Sequence, residues 1–144
     1  MTAAIVQAMR SSQGWPSGGD PSTGRQNEAM TVHAQHYWAN RFAADAAQLE
    51  QRRQVGLKQA QVAADALRQA WPEVRAIHLF GSILDDRFRE HSDLDLLVDG
   101  LPASDLLDAI ALAEAAGPLP VDLKRREDFS VDLSERLLRQ SQPL

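Results

Sequence analysis

The sequences LFGS at residues 79–82 and DLD at residues 93–95 decide how this chain folds, and ten residues separate them. LFGS ends a run of apolar and β-branched residues that predicts a strand over 74–80 running into a tight turn at the glycine. DLD lies within SDLDLLV at 92–98, whose alternation predicts a second strand with one apolar and one acidic face. The chain is therefore expected to carry a glycine turn after one strand and paired carboxylates on another.

Four residues of these two sequences are suited to phosphate and metal chemistry. Gly81 lets the backbone approach a phosphate without an intervening Cβ, and Ser82 offers a hydroxyl and an N–H at an expected helix start, where anions are favoured. Asp93 and Asp95 stand two residues apart on the face opposite the apolar residues, close enough to hold a hard divalent cation. Together they indicate an enzyme that handles nucleotides.

A third carboxylate, Asp122, lies in a short predicted strand over residues 120–124. Its apolar neighbours on both sides force its side chain onto the opposite face of that strand. If this strand lies beside the second one, Asp122 converges with Asp93 and Asp95. The structural alternative is an ordinary turn with solvated strand-edge charges, but like charges on one face of a sheet are destabilising. A function explains better why the chain carries them.

At these residues the chain resembles the nucleotidyltransferase superfamily that includes DNA polymerase β. The signature of that superfamily is Gly-Ser, a spacer, Asp-x-Asp and an Asp on a later strand. The matching residues are Gly81, Ser82, Asp93, Asp95 and Asp122. The order of elements from roughly Val55 to Leu144 is also similar to that of the small members called minimal nucleotidyltransferases. The resemblance implies an α/β (α+β) fold, in which helices flank a small mixed β-sheet.

The resemblance also implies a reaction, which is the Mg²⁺-dependent transfer of AMP from ATP to a hydroxyl acceptor. It assigns two Mg²⁺ ions to Asp93, Asp95 and Asp122, and the triphosphate to Gly81 and Ser82. Small members often act as antitoxins that adenylylate a HEPN ribonuclease toxin, which implies a helical protein partner. Transfer to a small molecule or to RNA remains open, as does a catalytically weak module that neutralises a toxin by binding it.

The chain departs from the family pattern directly after the glycine turn. Small members commonly carry an arginine-containing segment that ends in glycine, whereas this chain has Ile-Leu-Asp-Asp at residues 83–86. Arg87 and Arg89 follow, and we assign Arg87 to nucleotide binding, with simple surface charge as the alternative. Nucleotide affinity is therefore expected to be low or to depend on a partner.

Composition limits the remaining possibilities. The 144 residues suit one catalytic domain, and the net charge of −5 argues against an extended basic surface for nucleic acid. The absence of cysteine excludes disulfides and thiolate chemistry. No apolar run has the length of a membrane span, and the N-terminus lacks a secretory signal. We expect a cytoplasmic enzyme without membrane contact.

The N-terminal part of the chain differs from the rest. Residues 1–30 are rich in Gly, Pro, Ser and Gln, which predicts a flexible tail. Residues 31–144 are assigned to the nucleotidyltransferase domain, which begins with a helical segment. On that segment Tyr37, Trp38 and Phe42 form an aromatic face that is expected to belong to the core.

Two further helices are predicted after the second strand, over residues 105–116 and 131–140, the latter with Ser130 as its N-terminal cap. His78, in the first strand, is expected to be a packed core or edge residue. Asp99 is interpreted as a solvated charge.

Overall fold

The computed structural model describes the backbone of residues 21–144 and the side chains of residues 31–144. The chain divides into two compact units, Met1–Ala44 and Asp45–Leu144. Residues 1–20 of the predicted flexible tail lie outside the described residues. None of the described helices is long and apolar enough to cross a membrane.

The first helix, α1, spans Pro21–Ala70 and so begins before the predicted start at Thr31. Proline is favoured in the first turn of a helix because its φ is already helical and its missing N–H needs no partner there. Once started, a helix extends at little cost per residue. The predicted boundary at residue 30 is therefore not the start of the helix.

The strands form one mixed sheet, which confirms the predicted fold class. They are β1 (Ala76–Phe80), β2 (Leu94–Asp99), β3 (Val121–Arg125) and the short β4 (Gln142–Pro143). Their order in the sheet is β3-β2-β1-β4. Strand β1 runs antiparallel to β2 and β4, whereas β2 and β3 are parallel. Parallel neighbours need a crossover connection, and here a helix provides it.

That crossover helix, α2, spans Leu106–Ala115, and the last helix, α3, spans Val131–Arg139. The predicted cap of α3 is confirmed, because the Ser130 side chain accepts a hydrogen bond from the Leu133 N–H at 3.2 Å. The hydroxyl satisfies one of the backbone donors that a helix start leaves open.

The core lies on one face of the sheet, where α1 and α2 cover it. Strand β1 alternates as predicted, and every second side chain of β2 also points into the core, but Leu97 of β2 is buried on the other face. Small alanines let α1 approach the sheet closely. The residues in this core include Ala60, Ala63, Ala64, Leu67, Ile77, Leu79, Leu94, Leu96, Val98, Ala109, Ala113, Val121 and Leu123. The intervening residues of β2 and β3, the acids among them, therefore lie on the other face.

A buried glutamine, Gln59, joins three parts of this core. Its side-chain NH₂ group donates to the carbonyl oxygens of Ala113 at 3.3 Å and Leu119 at 2.9 Å. Its oxygen accepts from the Leu119 N–H at 2.8 Å. The side chain is fully satisfied although Gln59 is only 2% exposed. It therefore ties α1 to the end of α2 and to the segment that leads into β3.

The aromatic residues of α1 do not belong to the core, so that prediction is wrong. Tyr37 and Phe42 are 63% and 36% exposed, respectively, and both rings contact Trp38. The described part of their unit, residues 21–44, is a helix without a strand against which the rings could pack. They pack on one another instead.

We expect Gln59→Leu to lower the free energy of unfolding by about 3 kcal/mol, because buried backbone groups at Ala113 and Leu119 lose their partners. Urea denaturation of the two proteins measures the difference. Gln61→Leu is the control, since Gln61 is exposed and bonds only Asp65 one turn away, at 3.3 Å. That change should cost no more than about 0.5 kcal/mol. Equal losses in both variants would show that Gln59 is not a special link.

Candidate functional site

Two of the predicted acids meet on the face of the sheet opposite the core. In the parallel pair, Asp95 of β2 lies directly beside Asp122 of β3. On the other side of β2, Asp95 lies opposite Phe80, the last residue of β1. Asp93 just precedes β2 and is exposed. The three acids were expected to converge if the third strand lies beside the second, and β3 does lie beside β2.

The glycine turn lies against one of these acids. Gly81 has a φ of 86°, a conformation that other residues rarely adopt. A Cβ at this position would overlap the carboxylate of Asp95, so a side chain is excluded by space as well as by conformation. The turn and the Asp95 carboxylate are therefore in direct contact, as a shared site requires.

Ser82 does not begin a regular helix, contrary to the prediction. It starts a single 3₁₀ turn over Ser82–Leu84. Backbone bonds from Leu84 to Gly81 at 3.2 Å and from Asp85 to Ser82 at 3.0 Å close this turn. The chain then continues into a loop, because the next residues carry no apolar helical period. Ser82 is half-buried and lies two residues after the end of β1.

The acids of the site interact electrostatically. Burial, together with the negative charges of Asp122 and Asp93, raises the pKa of Asp95 to about 6, whereas Lys124 acts in the opposite direction. A carboxyl that holds its proton near neutral pH is a sign of crowded negative charge, which a bound cation would relieve. The three predicted ligands therefore act on one another as a group.

A cation of the chain itself partly balances this charge. The Lys124 ammonium lies 3.5 Å from a carboxylate oxygen of Asp122, and both side chains are more than two-fifths exposed. Among the described residues, no three acids or imidazoles are gathered closely enough to hold a metal ion as they stand. Mutual repulsion opposes such a gathering while no divalent ion is bound.

Arg87, the predicted nucleotide ligand, forms an ion pair within its own loop. Its guanidinium bonds the Asp85 carboxylate at 2.7 Å and 3.0 Å, and its side chain is 74% exposed. Arg89 donates to the backbone carbonyls of Asp86 and Phe88. Both arginines are therefore engaged locally, and the role of Arg87 in nucleotide binding stays a prediction.

Two arginines that the sequence analysis missed reach the site from α1. Arg53 donates through Nε to the Ile83 carbonyl at 2.9 Å, and Arg52 donates through Nη2 to the Ser92 carbonyl at 3.2 Å. The signal that could have found them is a pair of arginines between Leu49 and Gly56, on the stripe of α1 that faces the core.

Two other residues of this face lie outside the candidate site. Asp99 is not a solvated charge, since it pairs with Arg75 at 2.6 Å and Arg126 at 3.2 Å and its side chain is 14% exposed. His78 lies within the sheet, 3.3 Å from the Ser141 hydroxyl, and burial lowers its pKa. Its predicted position at a packed site in the first strand is confirmed.

A glycine turn packed against strand-borne carboxylates is an arrangement suited to nucleotidyl transfer. Residues 61–142 match the family model of the nucleotidyltransferase domain, which is more than half of the chain. The chain belongs to this nucleotidyltransferase domain family, and the resemblance found in the sequence is thereby confirmed. Enzymes of this class generally use a nucleotide substrate and a divalent metal. No curated protein matches the chain.

The chain is similar to several solved structures, and the first of these shares its fold. The first is a toxin–antitoxin with AMP-PNP, at 23% identity and a TM-score of 0.52, over 58% of this chain and 70% of that chain. Another is a tri-AMPylated Shewanella oneidensis HEPN toxin in complex with MNT antitoxin, at 21% identity and a TM-score of 0.48, over 61% and 70% of the two chains. A protein assigned as a minimal nucleotidyltransferase shows 27% identity and a TM-score of 0.46, over 69% and 96%.

We expect carboxyl NMR to give Asp95 a pKa of about 6 in the metal-free protein. Asp122→Asn should lower this pKa by removing a repelling charge, and Lys124→Met should raise it by removing an attracting one. Because burial is the largest cause, the pKa should stay above its usual range in Asp122→Asn. A pKa that neither variant changes would show that the three groups do not interact.

The sign of the linked stability follows from the raised pKa of Asp95. The folded chain holds this proton at pH values where the unfolded chain has lost it. The contribution of Asp95 to stability is therefore present at acidic pH and is lost as the pH rises through about 6. Without metal, the melting temperatures of wild type and Asp95→Asn should diverge as the pH rises through about 6. Above that pH, the variant should have the higher melting temperature.

Proposed function

We propose that this chain transfers AMP from ATP to a hydroxyl group of a partner protein in a Mg²⁺-dependent reaction, and that the partner is a HEPN ribonuclease toxin. The observation that carries the proposal is the contact of the Gly81 turn with Asp95, and the pairing of Asp95 with Asp122 on one face of the sheet. Membership in the nucleotidyltransferase family supplies the type of reaction.

The chemistry of the acids suits a divalent ion, and binding would have to draw the three carboxylates together, since they are not gathered around one point among the described residues. Mg²⁺ prefers carboxylate oxygens, and Asp93, Asp95 and Asp122 offer them on one side of the sheet. The raised pKa of Asp95 marks an excess of negative charge there. When bound, Mg²⁺ neutralises phosphate charge and eases deprotonation of an acceptor hydroxyl. We propose that Asp93 and Asp95 hold two ions and that Asp122 ligates the second.

The chain's own residues supply the positioning. Gly81, which carries no Cβ, leaves room for the Asp95 carboxylate at the turn, and Ser82 offers its hydroxyl to the β- and γ-phosphates. Asp122 is partly exposed beside Asp95, which leaves its carboxylate accessible to an acceptor hydroxyl. Holding the reactants in line before reaction is a main source of rate in phosphoryl transfer, where pyrophosphate leaves.

A protein acceptor is favoured by two observations. A solved structure with the same fold, obtained with AMP-PNP, is a toxin–antitoxin, so a protein partner accompanies that antitoxin. In this chain, α1 also exposes Tyr37 and Phe42, aromatic residues of the kind that protein interfaces favour. The net charge of −5 disfavours RNA as the acceptor.

A second candidate function is a weak or inactive module that neutralises a toxin by binding it. The ion pair of Lys124 with Asp122 favours this alternative, because a resident cation already balances one of the proposed metal ligands. The two candidates differ in whether the partner gains AMP.

Purified toxin, ATP and Mg²⁺ incubated with the chain should give toxin whose mass increases by one or more AMP groups. Asp93→Asn and Asp95→Asn should each reduce the rate by at least about 100-fold, because each removes a metal ligand. Asp86→Asn, in the exposed loop, is the control and should keep wild-type activity. Binding of the toxin without a mass increase would favour the inactive module. Modification of a small-molecule acceptor or RNA by the chain alone would exclude the protein acceptor as the preferred one.

Mg²⁺ should stabilise the folded chain. For a dissociation constant of about 1 mM, about 10 mM Mg²⁺ adds about 1.4 kcal/mol by mass action, which raises Tm by roughly three to six degrees for a domain of this size. Asp93→Asn should lose most of this shift and melt at or above the wild-type temperature without metal, since a repelling charge is gone. Calorimetric scans at constant ionic strength measure both. The same shift in both proteins would mean that the ions bind elsewhere.

A further inference from the structure

A polyphosphate needs positive charge, and the cations of the loops around the site are already engaged. Arg87 is bonded to Asp85, and Lys124 is paired with Asp122. Arg89 donates to two backbone carbonyls of its own loop. A triphosphate that approached the Gly81 turn would therefore compete with Asp85 for Arg87 and with Asp122 for Lys124.

Helix α1 supplies two cations that no carboxylate of the site engages. Arg53 bonds the carbonyl of Ile83, the residue after Ser82. Arg52 bonds the carbonyl of Ser92, the residue before Asp93. The two consecutive arginines thus contact both arms of the site, the turn that leaves β1 and the segment that enters β2. The ion pair of Arg53 with Glu50, at 3.2 Å, lies within α1 and points away from these arms.

Arg52 is held at a cost to stability. Its Nε is buried and has no hydrogen-bond partner. An unsatisfied buried donor is destabilising, and such groups are rare in folded proteins unless they have a function. An aliphatic residue at this place on the stripe of α1 would pack without that cost. A role in binding an anion gives the reason, because a guanidinium offers several donors in a fixed plane.

We propose that Arg52 and Arg53 form the cationic half of the nucleotide site. Arg52 is a binding residue, which lies at the Ser92 carbonyl, next to Asp93 and at the end of the sheet where β2 begins, and supplies charge to the β- and γ-phosphates of a nucleoside triphosphate from there. Arg53 is a positioning residue, which holds the turn at Ile83 so that Gly81 and Ser82 stay in place. This inference rests on the proposed function. It assigns to α1 the charge that the loop after the glycine turn does not provide.

The two possible roles of Arg52 affect the binding of triphosphates and monophosphates differently. A residue that contacts the outer phosphates affects the affinity for a triphosphate and leaves the affinity for a monophosphate nearly unchanged. A residue that only supports the fold affects both to the same extent. The comparison of AMP-PNP with AMP therefore separates the binding role of Arg52 from a structural one.

The experiment is calorimetric titration of the full chain with AMP-PNP and with AMP, in the presence of Mg²⁺. Arg52→Gln should weaken AMP-PNP binding by about ten-fold and AMP binding by less than about two-fold. Arg52→Lys should lie between, since it keeps the charge and loses the fork. Lys58→Gln is the matched control, because it removes the same charge from an exposed position on the same helix.

Arg53 is tested through the turn that it holds. Hydrogen exchange at the Leu84 and Asp85 amides, which close the turn, should accelerate in Arg53→Gln and remain as in wild type in Arg52→Gln. AMP-PNP affinity should fall in Arg53→Gln as well. Unchanged exchange at these amides would overturn the positioning role.

The outcomes separate this inference from the proposed function. If wild type binds AMP-PNP and Arg52→Gln behaves like Lys58→Gln, the arginine assignment is overturned and the proposed function stands. An equal loss for AMP and AMP-PNP overturns it too. If wild type binds neither nucleotide, the arginine assignment is overturned, and the AMP-transfer assay with the toxin decides the proposed function. Should Arg52→Gln not fold, Arg52→Lys decides, and wild-type affinity for AMP-PNP in that variant overturns the binding role.

Discussion

The parallel pairing of β2 with β3 is the constraint on which the rest of this structure depends. It places Asp95 beside Asp122, and it can do so only in one register, because a shift by one residue would turn an acid into the core. Gln59 serves the same arrangement from the other face, since its bonds at Leu119 fix the segment that leads into β3. The glycine turn then has room against Asp95 because it carries no side chain.

The two faces of the sheet follow opposite physical rules. On the core face, alanines of α1 pack closely on aliphatic side chains and nothing charged intervenes. On the other face, Asp95 has a pKa raised to about 6 because burial and neighbouring acids oppose its charge. A sheet selected for stability alone would avoid such crowding. The stable face therefore compensates for the unfavourable one, as is common at functional sites.

Local patterns were enough to predict β1, β2 and β3, because each is a short run of apolar and β-branched residues, whereas the α+β class came from the family resemblance. Spacing singled out Gly81, Ser82, Asp93 and Asp95, and the resemblance added support for Asp122. Strand β4 escaped prediction, since two residues that include Pro143 show no period. The register that joins Asp95 to Asp122 is a tertiary property, and sequence could state it only as a condition.

The failures have physical causes of the same kind. Tyr37 and Phe42 looked like core residues because aromatic side chains usually are, yet the described part of their unit offers no sheet to cover them. Asp99 looked solvated because its partners, Arg75 and Arg126, lie far from it in sequence. Arg52 and Arg53 were overlooked for a related reason, since their targets are 40 and 30 residues away along the chain, respectively.

The separation in sequence of the groups that Gln59 connects has a consequence for folding order. This residue bonds partners 54 and 60 positions away, so its contacts form only after α1, α2 and the approach to β3 have come together. Contacts between distant residues close large loops and form slowly. The Gln59 bonds therefore stabilise the completed domain and cannot start its assembly.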